Sequence, residues 1–130
     1  MSKYLERTQR LREDPTIHYN CAQTVIATFA AECGINQGKA CQLGTFFGSG
    51  MRMAATCGAI TGALMVIGMM GGGDAEYKAF MKLMRDNHDG LTDCAALLKL
   101  NAERGGEKRT HCDAMVFDAV ENVVKVMGLE

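Results

Sequence analysis

Apolar side chains recur along this chain at helical spacing and almost nowhere at the alternation that marks strands. Cys21, Val25, Phe29 and Cys33 fall four apart, with Asn20 placed to cap the helix and Gly34 to stop it. Tyr77, Phe80, Met81 and Met84 form one face of another helix, capped by Asp74 and closed by Gly90. A third stripe, Cys112, Met115, Val116, Ala119, Val123 and Met127, follows a capping-box-like start at Thr110 and Asp113 and ends before Gly128. Shorter segments complete the pattern. A charged helix at 3–13 precedes Pro15, the only proline, and a short helical piece covers 38–46. Thr92 opens a segment bearing Cys94, Leu97 and Leu98, which Gly105 and Gly106 close.

Residues 53–73 carry no charge, a span close to the length of a bilayer crossing. Their content argues the other way, because Ile60, Leu64, Val66 and Ile67 are diluted by Thr56, Thr61 and a series of glycines. The expectation is therefore a helix at 56–70 buried on all sides by neighbouring helices or partly by a second subunit, with no membrane involved. No run of alternating β-branched residues competes with the helical pattern. The fold expected is all-α, an irregular bundle of five or six helices around this central apolar, Gly-rich helix. Residues 1–130 read as a single domain, with the charged N-terminal helix at 1–14 packing onto it.

Composition narrows the classes of function. Fourteen Lys and Arg stand against 15 Asp and Glu, a formal net charge of -1, which gives nucleic acid no broad electrostatic reason to bind. A chain of 130 residues with 48% hydrophobic side chains can bury a core without disulfide staples. Its opening residues lack the apolar run of a secretory leader, so a cytoplasmic setting is expected. Structural disulfides are uncommon there. The six cysteines are then core residues, metal ligands or exchanging thiols.

They fall at 21, 33, 41, 57, 94 and 112, with no pair two residues apart, which excludes a local CxxC motif. Any shared site has to be assembled by folding. Four of them follow a capping residue by one or two positions: Asn20-Cys21, Thr56-Cys57, Thr92-Asp93-Cys94 and Thr110-His111-Cys112. First-turn placement would aim unpaired amide N–H groups at each sulfur and favour the thiolate. Asp93 opposes this at Cys94, and a protonated His111 turned inward would support it at Cys112. His18 lies close enough in sequence to orient or protonate a thiol at Cys21. Cys33 and Cys41 are outside the pattern; burial accounts for both, and a link between them through a tight hairpin stays open. Gly58 and Gly62 share one helical face, whose missing side chains admit another backbone or a bulky cofactor. Gly48-Ser49-Gly50 with Arg52 lacks the Lys and hydroxyl of a phosphate-binding loop.

Two classes of function stay open at this point. Cys21, Cys57, Cys94 and Cys112 could serve a redox or electron-transfer protein, as exchanging thiols or as ligands of an iron–sulfur cluster, with a redox partner protein. Alternatively the chain is a non-enzymatic helical binding or structural domain, dimeric or otherwise homo-oligomeric, with zinc or no cofactor at all.

The ordered motifs add to this. Cys57-Gly58-Ala59-Ile60-Thr61-Gly62, preceded by Asn20-Cys21-Ala22-Gln23 and followed by Cys94 and Cys112, resembles the family of redox-active proteins named for a C, GCAxxG, C, C pattern. Phe47-Gly48-Ser49-Gly50-Met51 is similar to that family's glycine-rich approach to the central motif. The resemblance runs from about Asn20 to Gly128. It implies redox activity carried by Cys21, Cys57, Cys94 and Cys112, with an iron–sulfur centre suspected in related domains. It assigns nothing to Cys33 and Cys41.

Overall fold

A computed structural model describes residues 2–129. The chain runs through α1 (Lys3–Arg12), α2 (Cys21–Thr28), α3 (Gln37–Gly44), a five-residue π-type turn (Gly50–Ala54), α4 (Gly58–Met69), α5 (Asp74–Asn87), α6 (Cys94–Glu103) and α7 (Lys108–Met127). Among the described residues there is no strand, and the only extended pairing is one antiparallel bridge between Thr56 and Asp93. The all-α expectation holds. The count does not: among the described residues there are eight helical segments rather than five or six. The short piece expected at 38–46 is α3; the segment with no counterpart in the sequence pattern is the π-type turn, whose five residues are too few to display an apolar period.

The core gathers Val25, Ile26 and Phe29, Ile60 and Val66 of α4, Phe80 and Met84 of α5, and Met115, Val116, Val120 and Val123 of α7, all essentially buried. Burying each such side chain stabilises by about 1.5–3 kcal/mol before entropy is charged against it. Helix α4 packs on α2, α7 and α5. Within the chain it is central on that side only: Leu64 and Met65 are half-buried and Met69 is exposed. No helix among the described residues is long and apolar enough to cross a membrane. Helix α1 lies on α7 and α2. Tyr4 stacks on Phe29 with ring centroids 5.1 Å apart, and Thr8 and Thr28 share a buried hydroxyl–hydroxyl bond of 3.0 Å.

Local chemistry fixes the ends that matter for the cysteines. At α2 the Gln23 amide donates to Asn20 Oδ1 (2.8 Å) and the Asn20 amide donates to Gln23 Oε1 (2.9 Å), a complete capping box. The helix stops at Thr28 instead of continuing to Gly34. Thr24 and Thr28 each donate their hydroxyl to the carbonyl four residues earlier, and the chain then tightens into three-residue turns at Phe29 and Ala30. Helix α7 starts a turn earlier than its Thr110 signal suggests, with Glu107 as the cap residue. Asp113 is therefore no capping residue; it accepts from Arg12 and Arg109.

The turn before α4 is unusual. Ser49, Gly50, Met51, Arg52 and Ala54 all have φ between 52° and 61°, left-handed backbone that costs a side-chain-bearing residue about 1–2 kcal/mol. The Ala55 amide closes this turn on the Gly50 carbonyl at 2.9 Å, five residues back.

Candidate functional site

Three contacts bring the sequence-distant cysteines to one place. The bridge between Thr56 and Asp93 is closed by Cys57 N–H donating to Thr92 O (2.9 Å) and Cys94 N–H donating to Ala55 O (2.6 Å), which ties the starts of α4 and α6 together. At the other contact the glycines of α4 meet α2. A Cβ added at Gly58 would lie 2.8 Å from Phe47 O and 3.3 Å from Cys21 Cβ, and one added at Gly62 would lie 2.9 Å from Ala22 O. The glycine face is thus filled by the backbone at the start of α2, and this sets Cys21 beside Cys57. Helix α7 packs against α2, α4 and α6 and supplies Cys112. Cys21, Cys57, Cys94 and Cys112 all line one cavity of about 770 Å³. Gly58 lines it as well, whereas Gly62 is sealed against Ala22.

All six cysteines are free thiols. Cys33 and Cys41 lie half-buried away from the cavity, and burial raises the pKa of both. The four cavity cysteines are not equivalent. Cys21 and Cys112 are close enough for their thiols to interact, and that interaction lowers Cys112 to about 6 while raising Cys21. Burial and the neighbouring sulfurs push Cys21 further up; the positive charges of Arg12 and Lys108 draw Cys112 further down. Of the two, Cys21 is the one that burial and neighbouring sulfurs keep protonated, and Cys112 is the one whose thiolate the nearby cations favour. Burial pushes Cys57 up to about 11, although the Ala59 and Ile60 amides pull against it without closing a regular cap bond. Cys94 is raised by burial and by Cys112, with Lys108 opposing.

These positions revise the helix-start argument. Cys21 and Cys94 are the first residues of α2 and α6, and Cys57 is the cap residue of α4. Cys112 is in the second turn of α7, beyond the unpaired amides. The most acidic thiol is thus the one without the helix-start advantage. Its acidity comes from a second thiol and from cations. His111 lines the cavity, but burial, then the charge of His88, lowers its pKa, which disfavours the protonated form that would have supported a thiolate at Cys112. Asp93 is not among the groups that shift Cys94.

The decisive cation, Arg12, carried no local sign in the sequence. Its side chain is only 7% exposed; Nε donates to Asp113 Oδ1 at 2.7 Å and Nη1 to Tyr19 O at 3.1 Å. Arg109 Nη2 in turn donates to the Arg12 carbonyl at 2.8 Å. The Arg12–Asp113 pair spans 101 positions of sequence, a separation at which no motif could have announced it.

A metal centre requires several donors converging on one point. Among the described residues no group of three or more His, Cys, Asp or Glu side chains is placed to hold a metal ion. The four sulfurs share a cavity without forming such a ligand set.

A helical fold that lines a single cavity with four free thiols, one of them acidic, defines a class of cysteine-bearing helical proteins. The chain belongs to the C_GCAxxG_C_C family, described as "Putative redox-active protein", whose family model matches residues 19–126. Comparison with curated proteins and with solved structures gave no match. Helix α1, and with it Arg12, lies outside the matched residues.

Proposed function

We propose that the protein carries out dithiol–disulfide exchange, with Cys112 as attacking thiolate and Cys21 as the thiol that resolves the mixed disulfide. The observation that supports this reading is that Cys21 and Cys112 line one cavity together with Arg12 and Lys108, whose positive charges favour a thiolate at Cys112. A thiol with a pKa somewhat below the ambient pH is ionised yet still nucleophilic, and its neighbour stands within reach to complete the exchange. Cys57 and Cys94, tied together by the Thr56–Asp93 bridge, act as a second, less acidic pair on the same cavity. A partner protein or a small disulfide supplies the oxidising equivalents.

The test is a thiol count on anaerobically prepared protein before and after stoichiometric oxidation, with the bridged cysteines mapped by mass spectrometry. Loss of two thiols, restored by a dithiol reductant and mapped to Cys21 and Cys112, is expected. In the Cys21→Ser variant, a mixed disulfide should accumulate at Cys112. Stoichiometric iron and sulfide, with Cys112 inert until the cluster is stripped, would replace exchange by the iron–sulfur reading. Retention of all native properties after Cys21→Ser and Cys112→Ser would leave only the binding-domain reading.

A further inference from the structure

The cavity that holds the thiols is strongly biased in charge. Arg12, Arg52, Lys108 and Arg109 line it, against a single acid, Glu107. Arg12 and Arg109 share the carboxylate of Asp113, which leaves positive charge over. Arg52 and Lys108 pair with no acid among the described residues; Arg52 instead lies over the Phe46 ring, 4.9 Å from its centroid. This excess stands out because the chain as a whole carries a net charge of -1. The cavity, about 770 Å³, is of the size that encloses a small molecule. Met53, 72% exposed, lines it as well. The left-handed turn at Ser49–Arg52 carries Arg52 and Met53 to the cavity at the cost of strained backbone.

We infer that the oxidant the cavity accepts is a small disulfide bearing carboxylates, its anionic ends held by Arg52 and Lys108 while its sulfurs reach Cys112. This rests on the exchange reading above and names its substrate class. The Cys112 thiolate attacks one sulfur of the substrate, forming a Cys112 mixed disulfide and expelling the first half as a thiolate. Cys21 then attacks the Cys112 sulfur, passing its proton to the second half as that leaves. The products are a Cys21–Cys112 disulfide, one thiolate and one thiol; the substrate has gained the two electrons that the dithiol lost.

The experiment measures the rate at which fully reduced protein is oxidised by three dialkyl disulfides: dithiodipropionate, a dianion; hydroxyethyl disulfide, which is neutral; and cystamine, a dication. Each rate is divided by that of the same disulfide with urea-unfolded protein, which removes differences in leaving-group reactivity. The normalised rate of the dianion should exceed that of the neutral compound by about tenfold or more, with the dication slowest. High salt should shrink the spread. Arg52→Gln combined with Lys108→Gln, both at exposed positions, should abolish most of it with helicity unchanged. Equal normalised rates, or a preference that the double variant keeps, would overturn the substrate assignment and leave exchange standing. Failure of all three to oxidise the protein would sink exchange itself, and the assignment with it.

Discussion

At the scale of single residues, the acidity of Cys112 shows how a thiolate is stabilised away from a helix start. Its pKa is pulled from an ordinary 9.0 to about 6, first by the Cys21 thiol, then by Arg12 and Lys108. Removing that thiol should therefore matter more than removing one exposed cation. The rate of Cys112 alkylation by iodoacetamide, followed site by site with mass spectrometry on reduced protein, should rise to a plateau with a midpoint near about 6. Cys21→Ala should move the midpoint upward by a unit or more, roughly what loss of one polar partner of a charged group produces. Lys108→Gln should move it less. A wild-type midpoint at the free-thiol value would remove the distinction between attacking and resolving cysteine. Cys21, Cys57, Cys94 and Cys112 were readable as a set from the ordered motif, whereas the capping argument that also picked them fails at Cys112, whose helix starts at Lys108. Which of them is acidic was not readable, because Arg12 and Cys21 reach Cys112 only through the packing of α1 and α2 on α7.

At the scale of elements, the glycine face of α4 sets the distance between helices. The Gly62 position is backed by the Ala22 backbone, which cannot swing aside, whereas Gly68 of the same helix has nothing within 4 Å of an added Cβ. Gly62→Ala should destabilise by about 1–3 kcal/mol through overpacking, offset in part by helix propensity. Gly68→Ala should be neutral or stabilise by up to about 1 kcal/mol, since only propensity changes there. Chemical denaturation of the two variants checks the pair, and equal effects would mean that α2 and α4 are not held at backbone contact. A residue spacing of four made this face readable in advance. The neighbouring turn was readable only as a break at Gly48-Ser49-Gly50: nothing in Met51, Arg52 or Ala54 favours positive φ, and such backbone is imposed by the closure of Ala55 on Gly50 and by the bridge that follows. The early end of α2 escaped for the opposite reason. Its apolar period continues to Cys33, but the amides of Phe29 and Ala30 turn back three residues, to Ile26 O and Ala27 O, where an α-helix would turn back four.

At the scale of the whole molecule, the thiols couple redox state to folding. Between about 6 and 9 the folded chain has already released the Cys112 proton while the unfolded chain still holds it, so the unfolded state binds more protons and stability rises with pH. Above 9.0 the sign reverses. Unfolded thiols ionise there, whereas Cys21, Cys57 and Cys94 keep their protons in the fold because their pKa values are raised. The thiol contribution to stability should therefore climb from about pH 6, peak near 9 and decline beyond it. Urea midpoints of the fully reduced protein, measured at closely spaced pH and referred to those of Cys112→Ala, isolate the rising limb, because the variant loses the one depressed thiol. The falling limb should persist in that variant, since Cys57 is raised to about 11 mainly by burial. Oxidation to the proposed Cys21–Cys112 disulfide removes both titrating groups of the pair, so the rising limb should vanish on oxidation and return on reduction. A reduced protein whose difference from Cys112→Ala stays flat across this range would show that the Cys112 thiolate is not a property of the folded state, and the attacking role assigned to it would fall.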